Sequence, residues 1–268
     1  MDAVNKTLYI PLYGKALVSK KGIVLNDPRA EAIWESEGFA LKGKAASKWL
    51  AYYMAMRARV FDLWVEEKLR ELPNAVVLHL GCGMDSRICR VAHPENTWYD
   101  VDFPEVIDQR QRYFASTDTD RMLGADVRNT AFLEKIPGDT AIVVMEGISM
   151  YLTGEERGKL LSALSSRFAR VELLMDCYTE FAAKASRYKN PVNDVGVTQL
   201  YGLDDPAVLE TEKLRYAGEL EMTPEELIRQ LQGMEQRIFR KVYAGSMAKK
   251  LYRMYAFSSK GLDSDVTS

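Results

Sequence analysis

Imidazole and thiol are the scarcest reactive groups in this 268-residue chain, which has two histidines and three cysteines. Cys82, Cys89 and Cys177 are odd in number, and no pair has the C-x-x-C spacing. A disulfide framework and a cysteine-built metal centre are therefore not expected, and no metal is. Cys82 reads as a small residue in a turn, because thiolate activation needs a positive neighbour and no histidine stands near it in sequence. His79 and His93 leave imidazole acid–base chemistry few places to act. No apolar stretch approaches the roughly 18 residues that a membrane span needs. No charge of one sign dominates: 36 Lys and Arg face 38 Asp and Glu, a net charge of -2, so neither nucleic acid nor a membrane is expected as a partner. The N-terminal stretch MDAVNKTLYIPLYGKALVSKKG lacks a secretory apolar core and a small-residue cleavage site, and a cytoplasmic location is expected. There is no internal repeat or low-complexity segment. The apolar share of 47% is enough to build a large core, and we expect one domain over residues 1–268. Nothing in the sequence fixes an oligomeric state.

What is present is concentrated in residues 75–102, AVVLHLGCGMDSRICRVAHPENTWYDVD. A short continuous apolar run, the pattern of a buried parallel strand, ends in Gly81-Cys82-Gly83. A second strand-like run ends in Asp102. Glycines at a strand end let the backbone turn sharply and approach a ligand. An acidic residue about 20 positions on can accept ribose hydroxyls. A dinucleotide fingerprint would carry a third glycine where Ser86 stands, and Asp85 is a poor neighbour for a pyrophosphate. S-adenosylmethionine, which has no phosphate and carries a sulfonium, suits the turn better than a nicotinamide cofactor. A plain tight turn, with Asp102 a solvated loop carboxylate, also stays open at this point.

Around that unit the chain alternates. Residues 1–74 read as a helical extension. Asp27-Pro28 starts one helix over 28–37, and a long helix over 48–72 is stopped by Pro73. In the long helix Met54, Ala58, Phe61, Val65 and Leu69 form a core face, while Arg57, Arg59 and Asp62 read most simply as a solvated charged face. The cofactor-binding core, 75–176, has strands at 75–80, 97–102, 121–124, 141–145 and 171–175. Helices are expected at 104–113 and from the Thr153–Glu156 capping box to about 168. Strands spaced by helices imply an α/β, doubly wound parallel sheet. Residues 177–222 break the rhythm and read as an inserted lid or a surface excursion. A helix starts at Thr223-Pro224, and 237–243 and 250–258 alternate like an antiparallel pair that ends the sheet over 223–260. Residues 261–268 read as a tail.

Asp102, Asp126 and Glu146 each follow an expected strand, 24 and 20 residues apart, about one βα unit each. They should converge on one edge of the sheet. LGCGMDSR followed by WYDVDFPEVI resembles the LGxGxDTR…WxEVDxPEVI pattern of the leucine carboxyl methyltransferase family. TLYIPLYGKALVSKK…NDPRAE resembles that family's small-molecule branch, typified by the tetracenomycin-pathway polyketide O-methyltransferase. RARVFD (57–62) and EGISMYL (146–152) are similar to two further motifs, so four motifs in order cover residues 7–152. The resemblance implies a class I S-adenosylmethionine-dependent methyltransferase fold (Rossmann-like). It implies that Arg57 pairs with the methionyl carboxylate of the cofactor and that Lys15 assists. Gly81 and Gly83 would let it approach, Asp102 would hold the ribose, and Asp126 with the backbone at Val127 would contact adenine. Glu146 and Tyr151 would border the methionyl end and methyl group. Lys15 stands where the family usually has Arg, and lacks the bidentate fork.

The implied reaction is O-methylation of a small-molecule acceptor, polyketide-like or another acidic metabolite. A carboxylate is ionised at neutral pH and needs positioning and desolvation; a phenol, with a pKa near 10, gains from a base. With His79 inside the first strand, most simply a core residue, and His93 in a loop, the chemistry tilts toward a carboxylate. Arg187, Tyr188 and Tyr201 of the inserted stretch, with Tyr151, are candidates to orient it. A phenol O-methyltransferase, a non-catalytic methyltransferase-like module and a nicotinamide-dependent oxidoreductase are the alternatives.

Overall fold

The computed structural model describes residues 8–38, 40–91, 96–186 and 199–259. Two helices open the chain, α1 (Tyr9–Lys20) and α2 (Pro28–Glu37), and α3 (Lys48–Glu71) follows. The start of α2 is as its sequence implies: Pro28 sits in the first turn, and the Asp27 carboxylate accepts from Ala30 N–H at 2.9 Å. In α3 the expected core face is buried, and so are Arg57 and Asp62, whose exposures are 4% and 0%. The solvated-face reading fails for these two because they meet charges from other elements, described below; Arg59 stays half-buried against Glu66.

Seven strands make one sheet: β1 (Val76–Leu80), β2 (Trp98–Asp102), β3 (Asp120–Gly124), β4 (Thr140–Met145), β5 (Arg170–Tyr178), β6 (Leu214–Glu219) and β7 (Tyr252–Ser259). Their order is β3-β2-β1-β4-β5-β7-β6, with β1 to β5 parallel and β7 antiparallel to both β5 and β6. The inner strands are apolar on both sides because both faces are covered. Val77, Ile142, Val144 and Leu174 pack under α3. Leu78, Val143, Leu173 and Phe257 face the other way, onto α6 (Gly154–Arg167). The capping box of α6 forms as expected: Thr153 and Glu156 exchange side-chain-to-backbone bonds. Shorter helices α4 (Arg87–Val91) and α5 (Pro104–Arg110) follow β1 and β2, and α7 (Glu180–Ser186) follows β5.

The C-terminal third departs from the sequence reading. Strand β6 lies inside the stretch 177–222 assigned to an insertion. It is an edge strand, LRYAGE, with only Leu214 fully buried, so it carries no apolar run to announce it. Residues 237–243 are not a strand. They belong to α9 (Gly233–Val242), which follows the one-turn α8 (Glu225–Ile228) and precedes α10 (Ser246–Lys249). Four-residue spacing wins over apparent alternation there: Phe239 and Tyr243 stack at 5.5 Å, Tyr243 stacks on Trp49 at 5.9 Å, and Phe239 lies 6.4 Å from the Tyr52 ring. The antiparallel partner of β7 is therefore β6, together with β5. The tail 261–268 and His93 lie outside the described residues. No helix among the described residues is long and apolar enough to cross a membrane.

Candidate active site

The C-terminal ends of the parallel strands border a cavity of about 990 Å³, roofed in part by α1 and α3. Lys15, Arg57, Gly81, Gly83, Asp102, Asp126, Val127, Glu146, Tyr151 and Tyr201 all line it. Arg187 and Tyr188 lie outside the described residues.

The glycine turn joins β1 to the end of β2. Gly81 has φ +69° and Gly83 φ +51°, conformations that side-chain-bearing residues rarely take. A Cβ on Gly81 would stand 2.0 Å from Ile148 Cγ2, so this glycine first makes room for the loop after β4. The turn presents Gly83 N–H to Asp102 Oδ2 at 2.8 Å, while Phe103 N–H donates to Oδ1 at 2.8 Å. Both carboxylate oxygens are thus fixed at the cavity wall, each with accepting capacity left. Burial pushes the Asp102 carboxyl above its usual range, more strongly than those two N–H bonds lower it.

Asp126 lies further along the rim and is engaged by Arg128, at 2.9 and 2.8 Å from Nε and 2.6 Å from Nη2. Those bonds hold its carboxyl below the usual range. The pair is well exposed, so opening it costs little.

The other end of the cavity is dense in charge. Arg57 donates from Nε to Glu146 Oε1 at 3.1 Å and approaches the same oxygen with Nη2 at 2.9 Å. Its Nη1 donates to Asp176 Oδ2 at 2.7 Å and to the Tyr252 hydroxyl at 2.9 Å. A guanidinium has five N–H groups, so one on Nη2 is left beyond these contacts. Gly147, φ +76°, lies alongside: a Cβ there would stand 3.4 Å from Nη2, and its absence keeps that nitrogen reachable. The other Glu146 oxygen accepts from Arg87 Nη2. Burial would raise the Glu146 carboxyl, but the Arg57 and Arg87 guanidiniums outweigh it and bring it down to about 2. Asp176 is equally buried but has one guanidinium, and burial wins, leaving its carboxyl above the usual range. Lys15 Nζ lies 3.2 Å from Asp85 Oδ2.

Sequence reasoning missed most of this second layer. Arg87 Nε donates to Asp62 Oδ1 at 2.8 Å, and Arg90 reaches Asp62 at 2.8 Å and Asp85 at 3.1 Å. His79 sits with Nδ1 3.2 Å from Asp100 and Nε2 3.2 Å from Arg87, so the buried histidine is part of this network as well as of β1. Asp176 and Tyr252 were not singled out either. One signal was available: Arg87 and Arg90 are three apart, which places both on one helix face.

The family model of leucine carboxyl methyltransferases matches residues 5–165. The chain belongs to the leucine carboxyl methyltransferase family. It is by family an S-adenosylmethionine-dependent methyltransferase. It is 30% identical over 214 residues to the tetracenomycin polyketide synthesis O-methyltransferase TcmP of Streptomyces glaucescens, 79% of each chain. It is 27% identical over 235 residues to the S-adenosyl-L-methionine-dependent methyltransferase dpfgK of Gibberella zeae, again 79% of each. The fold is shared with a candidate methyltransferase from Thermobifida fusca, at TM-score 0.59 and 14% identity, over 86% of this chain and 88% of that one. Within this family member, Asp176, Tyr178, Tyr201 and Tyr252 all lie beyond the matched residues. The end of the cavity over β5 and β7 is therefore built in part by residues that the family model does not cover. Burial pushes the Cys82 thiol well above its usual range and the Cys177 thiol up to about 12, which works against either forming a thiolate.

Proposed function

We propose that this enzyme methylates the carboxylate of a small, largely apolar acid, using S-adenosylmethionine. The cofactor supplies an electrophilic methyl group that passes to an acceptor oxygen as the sulfonium becomes a thioether. The donor set suits it. Asp102 would hold the ribose hydroxyls. Asp126, released from Arg128, and Val127 would meet adenine. The cations Lys15 and Arg57 alternate with the anions Asp85 and Glu146 where a zwitterionic methionyl end would lie. At about 990 Å³ the cavity stands at the upper end of the roughly 300–1,000 Å³ of small-molecule sites, which supports room for an acceptor beside the cofactor.

The observation that carries the carboxylate reading is the makeup of the end over β5 and β7. Tyr53, Met54, Met150, Tyr178, Tyr201 and Tyr252 line it, while His79 and Glu146, which also border the cavity, are engaged by Asp100 and Arg87 and by Arg57 and Arg87. Burial pushes the Tyr53 hydroxyl far up and the Tyr252 hydroxyl well above its usual range, so neither serves as a base near neutral pH. For a phenol acceptor the carboxylates at this end, Glu146 and Asp176, are already committed to Arg57, while a carboxylate acceptor arrives ionised and needs no base. The apolar wall excludes water, which favours a step in which an anion and a sulfonium neutralise each other. The similarity to a polyketide O-methyltransferase supports a polyketide-like acid as the acceptor. Lys15, Arg57 and Glu146 orient the methionyl end, and Tyr151 and Tyr201 border the transfer path. The test is a screen of carboxylic and phenolic metabolites with isotope-labelled S-adenosylmethionine. Labelled products should be esters cleaved by mild alkali. Their rate of formation should level off above the acceptor's carboxyl pKa, with no second rise near pH 8–10, the roughly phenolic range. Alkali-resistant products would sink the carboxylate reading.

A further inference from the structure

Tyr252 stands where the charged and aromatic ends of the cavity meet. It opens β7, directly across from Tyr178 of β5. Its hydroxyl donates to Asp176 Oδ2 at 2.7 Å and accepts from Arg57 Nη1 at 2.9 Å. Arg57 Nη1 also donates to that same Asp176 oxygen, at 2.7 Å, so the three groups close a triangle. The ring cannot swing freely. Tyr178 meets it edge-on with centroids 4.8 Å apart, and Tyr53 does so at 6.3 Å. Asp176 is itself pinned by Gly147 N–H, which donates to Oδ1 at 2.6 Å.

Arg57 is thus gripped on two sides: Glu146 takes the Nε edge, and the Asp176–Tyr252 pair takes Nη1. What is left is the Nη2 proton beside Gly147. A lone Asp176 could hold the charge of Arg57 but not fix the rotation of its plane, because one oxygen is a single point of contact. A second point on the same nitrogen, supplied from β7, removes that freedom. We propose that Tyr252 is a positioning residue whose hydroxyl, with Asp176, holds the Arg57 guanidinium in the orientation that receives the carboxylate of the cofactor's methionyl end. The neutral, strongly donating state of the hydroxyl fits this role, since burial and the Asp176 carboxylate both oppose its ionisation. This rests on the proposed placement of S-adenosylmethionine in the cavity. It assigns a cofactor-affinity role to two residues of the segment that the family model leaves unmatched.

Two probes separate this role from a merely structural one. S-adenosylhomocysteine carries the methionyl carboxylate, whereas 5′-methylthioadenosine keeps the nucleoside and thioether and lacks it. Calorimetry on the full chain should give Tyr252→Phe an affinity for S-adenosylhomocysteine about tenfold lower, the scale of one hydrogen bond to a charged group. Its affinity for 5′-methylthioadenosine should stay within twofold of wild type. Asp176→Asn should show the same selective loss. Equal weakening toward both probes would mean that the hydroxyl acts through the fold at large, and unchanged affinity for S-adenosylhomocysteine would mean that Arg57 needs no such grip; either overturns the proposal. Wild type that binds the two probes equally well would instead remove Arg57 from the methionyl end, and the placement of the cofactor would fall with it.

Discussion

Asp102 combines two properties that a single substitution can pull apart. It is half-buried, with no cation bonded to it among the described residues, so desolvation works against its charge, yet that charge is what ribose hydroxyls would bind. Asp102→Asn removes the charge but keeps an oxygen for only one of the Gly83 and Phe103 N–H groups, setting its NH2 against the other. The two effects oppose each other, so we expect its melting temperature to change little, and its affinity for S-adenosylhomocysteine to fall about tenfold, as expected for a charge-assisted hydrogen bond. A variant that binds as wild type does would place the ribose elsewhere. Arg57 behaves in the opposite way: its partners demand a planar, forked cation, and a lysine offers one point charge. Arg57→Lys should lose both stability and cofactor affinity, since a single ammonium cannot bridge Glu146 and Asp176 with the geometry that the guanidinium has. Intact thermal stability together with intact turnover would return Arg57 to a plain helix-face role. Both residues could be read in the sequence, one after a strand end and one within RARVFD. Their partners could not, because Asp176 is 119 positions from Arg57 and no local pattern links them.

At the scale of elements, what could be read depended on whether an element carries its own signal. The strands β1, β2, β4 and β5 are covered on both faces and so appear as short, mostly apolar runs. The capping box of α6 and the Asp27-Pro28 start of α2 are local chemistry. Strand β6 lies at the sheet edge with Leu214 its one fully buried residue, and α9 hides its helical period behind chance alternation. The turn after β1 was legible as a turn, but its reason was not. Gly81 faces Ile148 of the loop after β4, 67 positions away. Gly81→Ala should therefore destabilise the fold by the clash and by the left-handed backbone together. In an Ile148→Ala background, where the clash is gone, Gly81→Ala should cost only about 1–2 kcal/mol, the cost of a left-handed non-glycine residue. Chemical denaturation of both single variants and the double variant measures both parts. A cost of Gly81→Ala as large in that background as in wild type would mean that the Ile148 contact is not what requires the glycine.

At the scale of the molecule, charge is sorted inward. Lys15, Arg57, Arg87 and Arg110 are buried, and so are Asp27, Asp62, Asp85, Asp100, Glu146 and Asp176. The overall charge of -2 gives no hint of this, since surface pairs conceal the interior ones. Arg87 is the hub: it meets Asp62, Asp85 and Glu146 and is itself fully buried. Arg87→Met keeps much of the side chain's length, which already packs over Phe61, but takes one cation from each of three buried carboxylates, leaving Asp62 to Arg90, Asp85 to Lys15 and Arg90, and Glu146 to Arg57. Breaking a buried pair in this way costs about 3–5 kcal/mol. The pH dependence of that cost gives it a signature. Folding lowers the pKa of Glu146 from 4.5 to about 2, and that of Asp85 well below 3.8. A depressed carboxyl adds stability that is present above its unfolded pKa and is lost as pH falls toward its folded one. The wild-type advantage over Arg87→Met should accordingly be full at pH 7, begin to shrink near pH 4.5 and narrow further toward pH 2. Burial raises Asp176 in both proteins and opposes acid loss in each, so it cancels in the difference. Thermal melts of the pair across this range would show the gap closing in acid. A deficit that stays constant from pH 7 to pH 3 would mean that Arg87 contributes by packing, and that the three carboxylates around it are held by something other than its charge.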